Sequence, residues 1–155
     1  MTQAVIPIRA AAAPRASDTL KRAAAYAARF AALGGTYYVA AKLGLAFRFQ
    51  SSQISVVWVA NAVLFAALVL TPRSRWWAVF VTTALAHVAA MGATTPAWRL
   101  VWQIAGNSLF MSAAALLLRR YGDLPLRFES RRQVFAYVAI SVGVPAVFAL
   151  TMPSF

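Results

Sequence analysis

The chain has 155 residues, of which 62% are apolar and 12% charged, and its net charge is +12. Such a composition lies outside the range of soluble globular proteins and is typical of membrane proteins. Because the chain has no cysteine, it cannot contain a disulfide framework, a thiolate metal site or a thiol nucleophile.

The first segment, residues 1–29, is rich in Ala and Arg, and we interpret it as a basic cytoplasmic leader. Ser17 or Asp18 is predicted to cap a helix from Thr19 through Ala28 that continues into the first apolar stretch, because a short side-chain oxygen can satisfy the free N–H groups at a helix start. An organellar transit peptide and a secretory signal remain as alternatives for this segment.

The rest of the chain, residues 30–155, contains five apolar stretches separated by short connections. A helix rises about 1.5 Å per residue and a bilayer core is roughly 30 Å thick, so about 17 to 25 apolar residues suffice to cross it. The sequence therefore predicts an all-α fold, a polytopic transmembrane bundle of about five spanning helices. The predicted spans are 30–47, 54–70, 76–91, 100–118 and 134–152. Only the first contains a charged residue, Lys42, which we expect to extend toward the outer interface.

The basic residues sort by connection, which predicts the orientation of the chain. Lys and Arg accumulate in short cytoplasmic loops. One set, which precedes the first stretch or lies in the second and fourth connections, comprises Arg9, Arg15, Lys21, Arg22, Arg73, Arg75, Arg119, Arg120, Arg127, Arg131 and Arg132. The opposite connections contain only Arg48 and Arg99. We therefore predict a multi-pass protein of the bacterial inner (plasma) membrane with a cytoplasmic amino terminus, and no binding to nucleic acid. Arg73, Arg75, Arg119 and Arg120 are the predicted topology determinants.

Residues that could support catalysis are few. The acidic residues are Asp18, Asp123 and Glu129, all in predicted cytoplasmic segments, and the sole histidine is His87. A carboxylate pair, a set of residues with metal-ligand spacing and a glycine-rich phosphate loop are all missing from the sequence. We expect no enzymatic activity, no metal and no cofactor in this chain.

Polar residues inside the predicted spans form short stripes. Asn61 lies in span two, Thr83 and His87 are four apart in span three, and Gln103 and Asn107 are four apart in span four. Residues four apart share a helix face, and a polar face in lipid should contact other helices. One interpretation is hydrogen bonding between helices. The other is a shared polar pocket between spans two, three and four that binds a small ligand or responds to a membrane state, with His87 able to titrate near neutral pH.

Two segments and a later landmark resemble a known family. Residues 58–62 read WVANA, residues 72–76 read PRSRW, and Asn107 lies in a span that ends on LLRR at 117–120. This pattern resembles the bacterial membrane-associated sensor domain of the first MASE type, over roughly residues 38–150. Trp58 joins the candidate site residues through this resemblance.

The resemblance implies a sensory input domain that feeds a cytoplasmic histidine kinase, diguanylate cyclase or phosphodiesterase. Val59 replaces the proline of the family pattern, and Phe110 replaces an acidic residue, so a role for that carboxylate is not implied here. The family domain is similar to an array of about eight spans with a cytoplasmic carboxyl terminus. We therefore interpret this chain as the amino-terminal part of such a receptor, a stand-alone relative or a truncated product.

Two further functional hypotheses belong to other classes. A small transporter or facilitator is one, although proton-coupled carriers of this size rely on a membrane carboxylate. A non-functional membrane fragment is the other. Besides the lipid bilayer, the predicted partners are a cytoplasmic output enzyme and a second copy of the chain in a homo-oligomer.

Overall fold

A computed structural model describes residues 16–47, 58–121 and 129–151, and the fold over these residues is all-α, as predicted. A short 3-10 helix, Arg73–Arg75, joins the second helix to the third. The five α-helices are α1 (Ala16–Ala46), α2 (Val59–Leu70), α3 (Trp76–Met91), α4 (Ala97–Tyr121) and α5 (Arg131–Thr151).

The helix bounds follow the apolar stretches closely. α3 coincides with the predicted 76–91, and α4 extends beyond 100–118 at both ends. α2 begins at Val59, and its predicted start at 54–57 lies outside the described residues, as do the outer connection 48–53 and Met152. Most of the connection between α4 and α5, with Asp123 and Arg127, also lies outside them.

The start of α1 differs from the prediction. The helix begins at Ala16 and continues without a break to Ala46, so Ser17 and Asp18 lie inside it and do not cap it. Asp18 is in the first turn, where a negative charge interacts favourably with the positive end of the helix dipole. The described part of the leader and the first apolar stretch are therefore one helix.

The helices pack in two groups that share α2. α1 packs against α2 and α3, and α4 packs against α2 and α5. α1 and α3 approach closely at Gly34, where an added Cβ would meet Thr82 Cγ2 at 3.2 Å. The best-buried large apolar side chains are Leu64, Leu68, Val79 and Leu118. They belong to α2, α3 and α4, so the core lies around α2.

Large apolar side chains also cover the outside of the helices. Leu70 is 83% exposed and Leu85 is 67% exposed. By length and composition, α4 is the single helix among the described residues that could cross a bilayer, and α2 is apolar but has 12 residues. The number of spanning helices stays a prediction.

Candidate functional site

α3 has its polar side inside the bundle and its apolar side outside. Thr83 and His87 are 3% and 1% exposed, whereas Trp77, Val81 and Leu85 are all more than half exposed. In a water-soluble helix the polar stripe faces solvent and the apolar stripe faces the core. The spacing of Thr83 and His87 thus predicted their common face, and the structure places that face against other helices.

His87 is the centre of a hydrogen-bonded group that we call the polar cluster: Tyr37, His87 and Gln103. Tyr37 Oη lies 3.1 Å from His87 Nδ1, and Gln103 Oε1 lies 3.3 Å from His87 Nε2. Because a carbonyl oxygen only accepts, the neutral tautomer with its proton on Nε2 fits both contacts, with Tyr37 donating to Nδ1. One imidazole therefore connects α1, α3 and α4.

Thr83 and Asn107, the other two members of the predicted stripes, do not belong to the polar cluster. The Thr83 hydroxyl donates to the Val79 carbonyl of its own helix at 2.9 Å, so its side chain is satisfied within α3. Asn107 is buried one turn beyond Gln103 on α4. Of the two predicted stripes, His87 and Gln103 are the pair that the structure joins directly.

Trp58 and Asn61 lie at the start of α2, between the polar cluster and a cavity. The Trp58 and His87 rings are 5.9 Å apart in an edge arrangement. Both Trp58 and Asn61 also line a cavity of about 300 Å³ between α2, α4 and α5. The structure thus brings Asn61 together with Trp58 at the cavity, and Trp58 also contacts His87 of the polar cluster.

The α2–α4–α5 cavity is mostly apolar and includes residues that the sequence argument missed. Its lining includes Trp58, Asn61, Phe65, Met111, Tyr137 and Ser141. The Phe65 and Tyr137 rings, 6.5 Å apart, bring α2 and α5 together beside it. Ser141 could have been found from the sequence, because it is a polar residue inside the predicted span 134–152.

Arg119 and Trp76 hold the carboxyl-terminal end of α2. Arg119 Nη2 donates to the carbonyls of Leu68, Val69 and Thr71 at 2.9, 2.9 and 2.6 Å. Trp76 Nε1 donates to the Leu68 and Thr71 carbonyls at 3.0 Å. The guanidinium also lies 5.5 Å from the Trp76 ring centroid. The last carbonyls of a helix have no partner within it and carry partial negative charge, so a cation there is favourable.

Arg73, Arg75 and Arg120 of the predicted cytoplasmic set lie near this end of α2, together with Arg29 of α1, which that set did not include. The Arg75 guanidinium is 4.4 Å from the Tyr26 ring centroid, and that of Arg29 is 6.0 Å from the same centroid. Arg73 and Arg120 are exposed. Basic residues from α1, α4 and the 3-10 helix before α3 therefore gather at one end of the bundle, which we call the basic end.

Lys42 makes contacts that the sequence did not predict. Its ammonium donates to the Ala90 carbonyl at 2.8 Å and lies 5.6 Å from the Tyr38 ring centroid. The sequence predicts that Lys42 extends toward the outer interface without a charged partner, because the predicted spans contain no carboxylate. A backbone carbonyl near the end of α3 is the partner instead, which adds a second link between α1 and α3.

Comparison with known proteins gives no further identification. Neither a family model, nor a curated protein, nor a solved structure matches the chain. Within the described residues, no group of three or more His, Asp or Glu side chains is placed to hold a metal ion. The candidate site is therefore defined by its geometry: the polar cluster, Trp58 and the cavity beside it.

Proposed function

We propose that this chain is an integral membrane sensory input domain that passes a signal to a cytoplasmic output enzyme. The observation that carries the proposal is the polar cluster, in which one buried imidazole joins three helices. A change in the position of one helix must alter the contacts of the other two. A signal that favours one packing arrangement would shift the population of the bundle toward it.

The distribution of polar and apolar side chains supports a location in the bilayer. α3 exposes Trp77, Val81 and Leu85 while burying Thr83 and His87. Contiguous apolar surface of this kind is unfavourable in water and favourable in lipid. We propose five membrane-spanning helices. Because α2 and α3 are short, the residues that flank them form part of their spans.

The basic end supports the proposed orientation, because short loops rich in arginine stay in the cytoplasm. Alkaline phosphatase fused after Ser74 should be inactive in bacterial cells, and the same enzyme fused after Thr94 should be active. The opposite pattern would reverse the orientation. Extraction of the chain by a carbonate wash without detergent would contradict membrane integration altogether.

Signalling is tested by substitutions in the polar stripes. Asn61→Leu and Asn107→Leu should change the cyclic-di-GMP level or the kinase phosphorylation in cells that express the chain, because each replaces a polar amide inside the bundle by an apolar side chain. The amount of chain in the membrane fraction should stay constant. Val101→Leu, at an exposed position on α4, is the control. If neither Asn variant changed the cyclic-di-GMP level or the kinase phosphorylation, Asn61 and Asn107 would have a structural role only.

A further inference from the structure

We infer that the α2–α4–α5 cavity binds a small neutral molecule with an apolar body and a hydroxyl group. The cavity has a volume of about 300 Å³ and is lined by residues of three helices. Sites for small molecules have volumes of roughly 300–1,000 Å³ and are mostly apolar, with a few polar groups that orient the ligand.

Three residues that line the cavity carry buried polar atoms without a hydrogen-bond partner in the described part of the chain. They are Trp58 Nε1, Asn61 Oδ1 and Ser141 Oγ. The first is a donor, the second an acceptor, and the third can do both. A buried polar group left without a partner costs about 1–3 kcal/mol. A molecule that supplied these partners would recover that cost, which gives the cavity an affinity for hydroxyl groups.

The other lining residues define the rest of the ligand. Phe65 and Met111 offer an aromatic ring and a thioether, which suit a flat apolar body. None of the described lining residues carries a charge at neutral pH, so a charged ligand would be desolvated without compensation. A phenol-like molecule fits both conditions, since its hydroxyl can accept from Trp58 Nε1 and donate to Asn61 Oδ1.

Trp58 places this cavity next to the polar cluster. Its ring lies 5.9 Å from that of His87, on which Tyr37 and Gln103 converge. A ligand in contact with Trp58 therefore acts on the group that joins α1, α3 and α4. This assignment of the cavity as the receiving site rests on the proposed function, whereas the binding itself does not.

Binding can be measured with 2-naphthol on the full chain in lipid nanodiscs, with empty nanodiscs to subtract partitioning into lipid. We expect saturable binding of one 2-naphthol per chain. Naphthalene, which lacks the hydroxyl, should bind at least tenfold more weakly, and 2-naphthoate, which is charged, should show no saturable binding. Binding of all three probes to the same extent as in empty nanodiscs would overturn the proposal.

Matched variants locate the site. Asn61→Leu and Ser141→Ala should each weaken 2-naphthol binding about threefold to tenfold. Ser112→Ala should leave it unchanged, because the Ser112 hydroxyl already donates to the Ser108 carbonyl at 2.6 Å. Equal affinities in Ser141→Ala and Ser112→Ala would place the ligand elsewhere and overturn the assignment.

Thiol labelling gives a second measurement that does not depend on the affinity of a damaged site. The chain has no cysteine, so Ser141→Cys and Ser112→Cys each introduce a single thiol. We expect 2-naphthol to slow the reaction of Ser141→Cys with a small methanethiosulfonate severalfold and to leave that of Ser112→Cys unchanged. Equal rates with and without 2-naphthol at Ser141→Cys would contradict occupancy of the cavity.

The two proposals fail separately. Saturable binding with no change in the output enzyme would leave the site in place and overturn the sensory function. An output that responds to Asn61→Leu in a chain without saturable binding of 2-naphthol would keep the sensory function and overturn the site.

Discussion

The two ends of α2 treat their polar groups in opposite ways. At the carboxyl-terminal end, Arg119 and Trp76 donate to the carbonyls of Leu68, Val69 and Thr71. At the amino-terminal end, Trp58 Nε1 and Asn61 Oδ1 are buried beside a cavity, without a partner in the described part of the chain. A single helix of 12 residues is thus fixed at one end and has unmet hydrogen-bonding capacity at the other. The hydrogen bonds at the first end stabilise the bundle, although Arg119 Nε there is also buried without a partner among the described residues, and the polar atoms at the second end line the cavity that we infer to bind a ligand.

The largest effect is expected at the fixed end. Arg119→Ala should lower the free energy of unfolding by about 3 kcal/mol, because hydrogen bonds to a charged group contribute roughly 1.5–3 kcal/mol each and are partly cooperative. The measurement is unfolding by sodium dodecyl sulfate in mixed micelles, followed by circular dichroism.

Arg120→Ala is the matched control for that comparison, since Arg120 is the exposed neighbour in the same last turn of α4. It removes the same charge and should change stability little. Arg119→Lys keeps the charge but not the planar fork, so it should fall between the two. Equal stabilities for Arg119→Ala and Arg120→Ala would show that the contacts with α2 contribute nothing.

A smaller loss of stability is expected from a substitution in the polar cluster. Tyr37→Phe removes the hydroxyl that meets His87 Nδ1 and should lower the free energy of unfolding by about 1 kcal/mol, a typical net value for one hydrogen bond. Tyr38→Phe is the control, because Tyr38 is 38% exposed whereas Tyr37 is 2% exposed. If the two variants unfold alike in the same micelle titration, His87 does not couple α1 to α3.

The smallest effect should have the opposite sign. Ser141→Ala removes a buried hydroxyl without a partner in the described part of the chain, so we expect the free energy of unfolding to rise by about 0.5–1 kcal/mol. Ser112→Ala, which removes a satisfied hydroxyl, should be neutral or slightly destabilising. A loss of stability in Ser141→Ala would mean that its hydroxyl is satisfied, and the contrast between the ends of α2 would disappear.

The helices could be predicted because they depend on residues that are close together in the sequence. Runs without charged residues form the central part of each of α2 to α5. Pro72 lies just after α2, and the segment from Gly92 to Pro96 separates α3 from α4. The start of α1 could not be predicted in the same way. Its alanine-rich part, a strong helix-forming sequence, is residues 23–28, and the helix extends back from there to Ala16 past the candidate caps Ser17 and Asp18.

The site was predictable only in part, because its contacts join distant segments. His87 is four residues from Thr83, and Gln103 is four residues from Asn107, so the sequence predicted that each pair shares a helix face. The contact between His87 and Gln103 depends on how α3 packs against α4. Tyr37 lies 50 residues from His87, and a tyrosine in an apolar stretch gives no sign of its partner. Arg119 was predicted as a topology determinant from its connection alone, whereas its contact with α2 needs the tertiary packing. The resemblance to the MASE type stays a prediction.

The contact between Arg119 and α2 also sets an order of events during synthesis. The ribosome completes α2 well before α4, and the Val69 carbonyl is separated from Arg119 by 50 residues. In a bilayer, as we propose for this chain, that carbonyl can bond only to water or lipid head groups until Arg119 emerges, because hydrocarbon offers no donor. In the membrane location proposed above, the end of α2 must therefore remain at the hydrated surface during translation, and its docking against α4 is a late step of assembly.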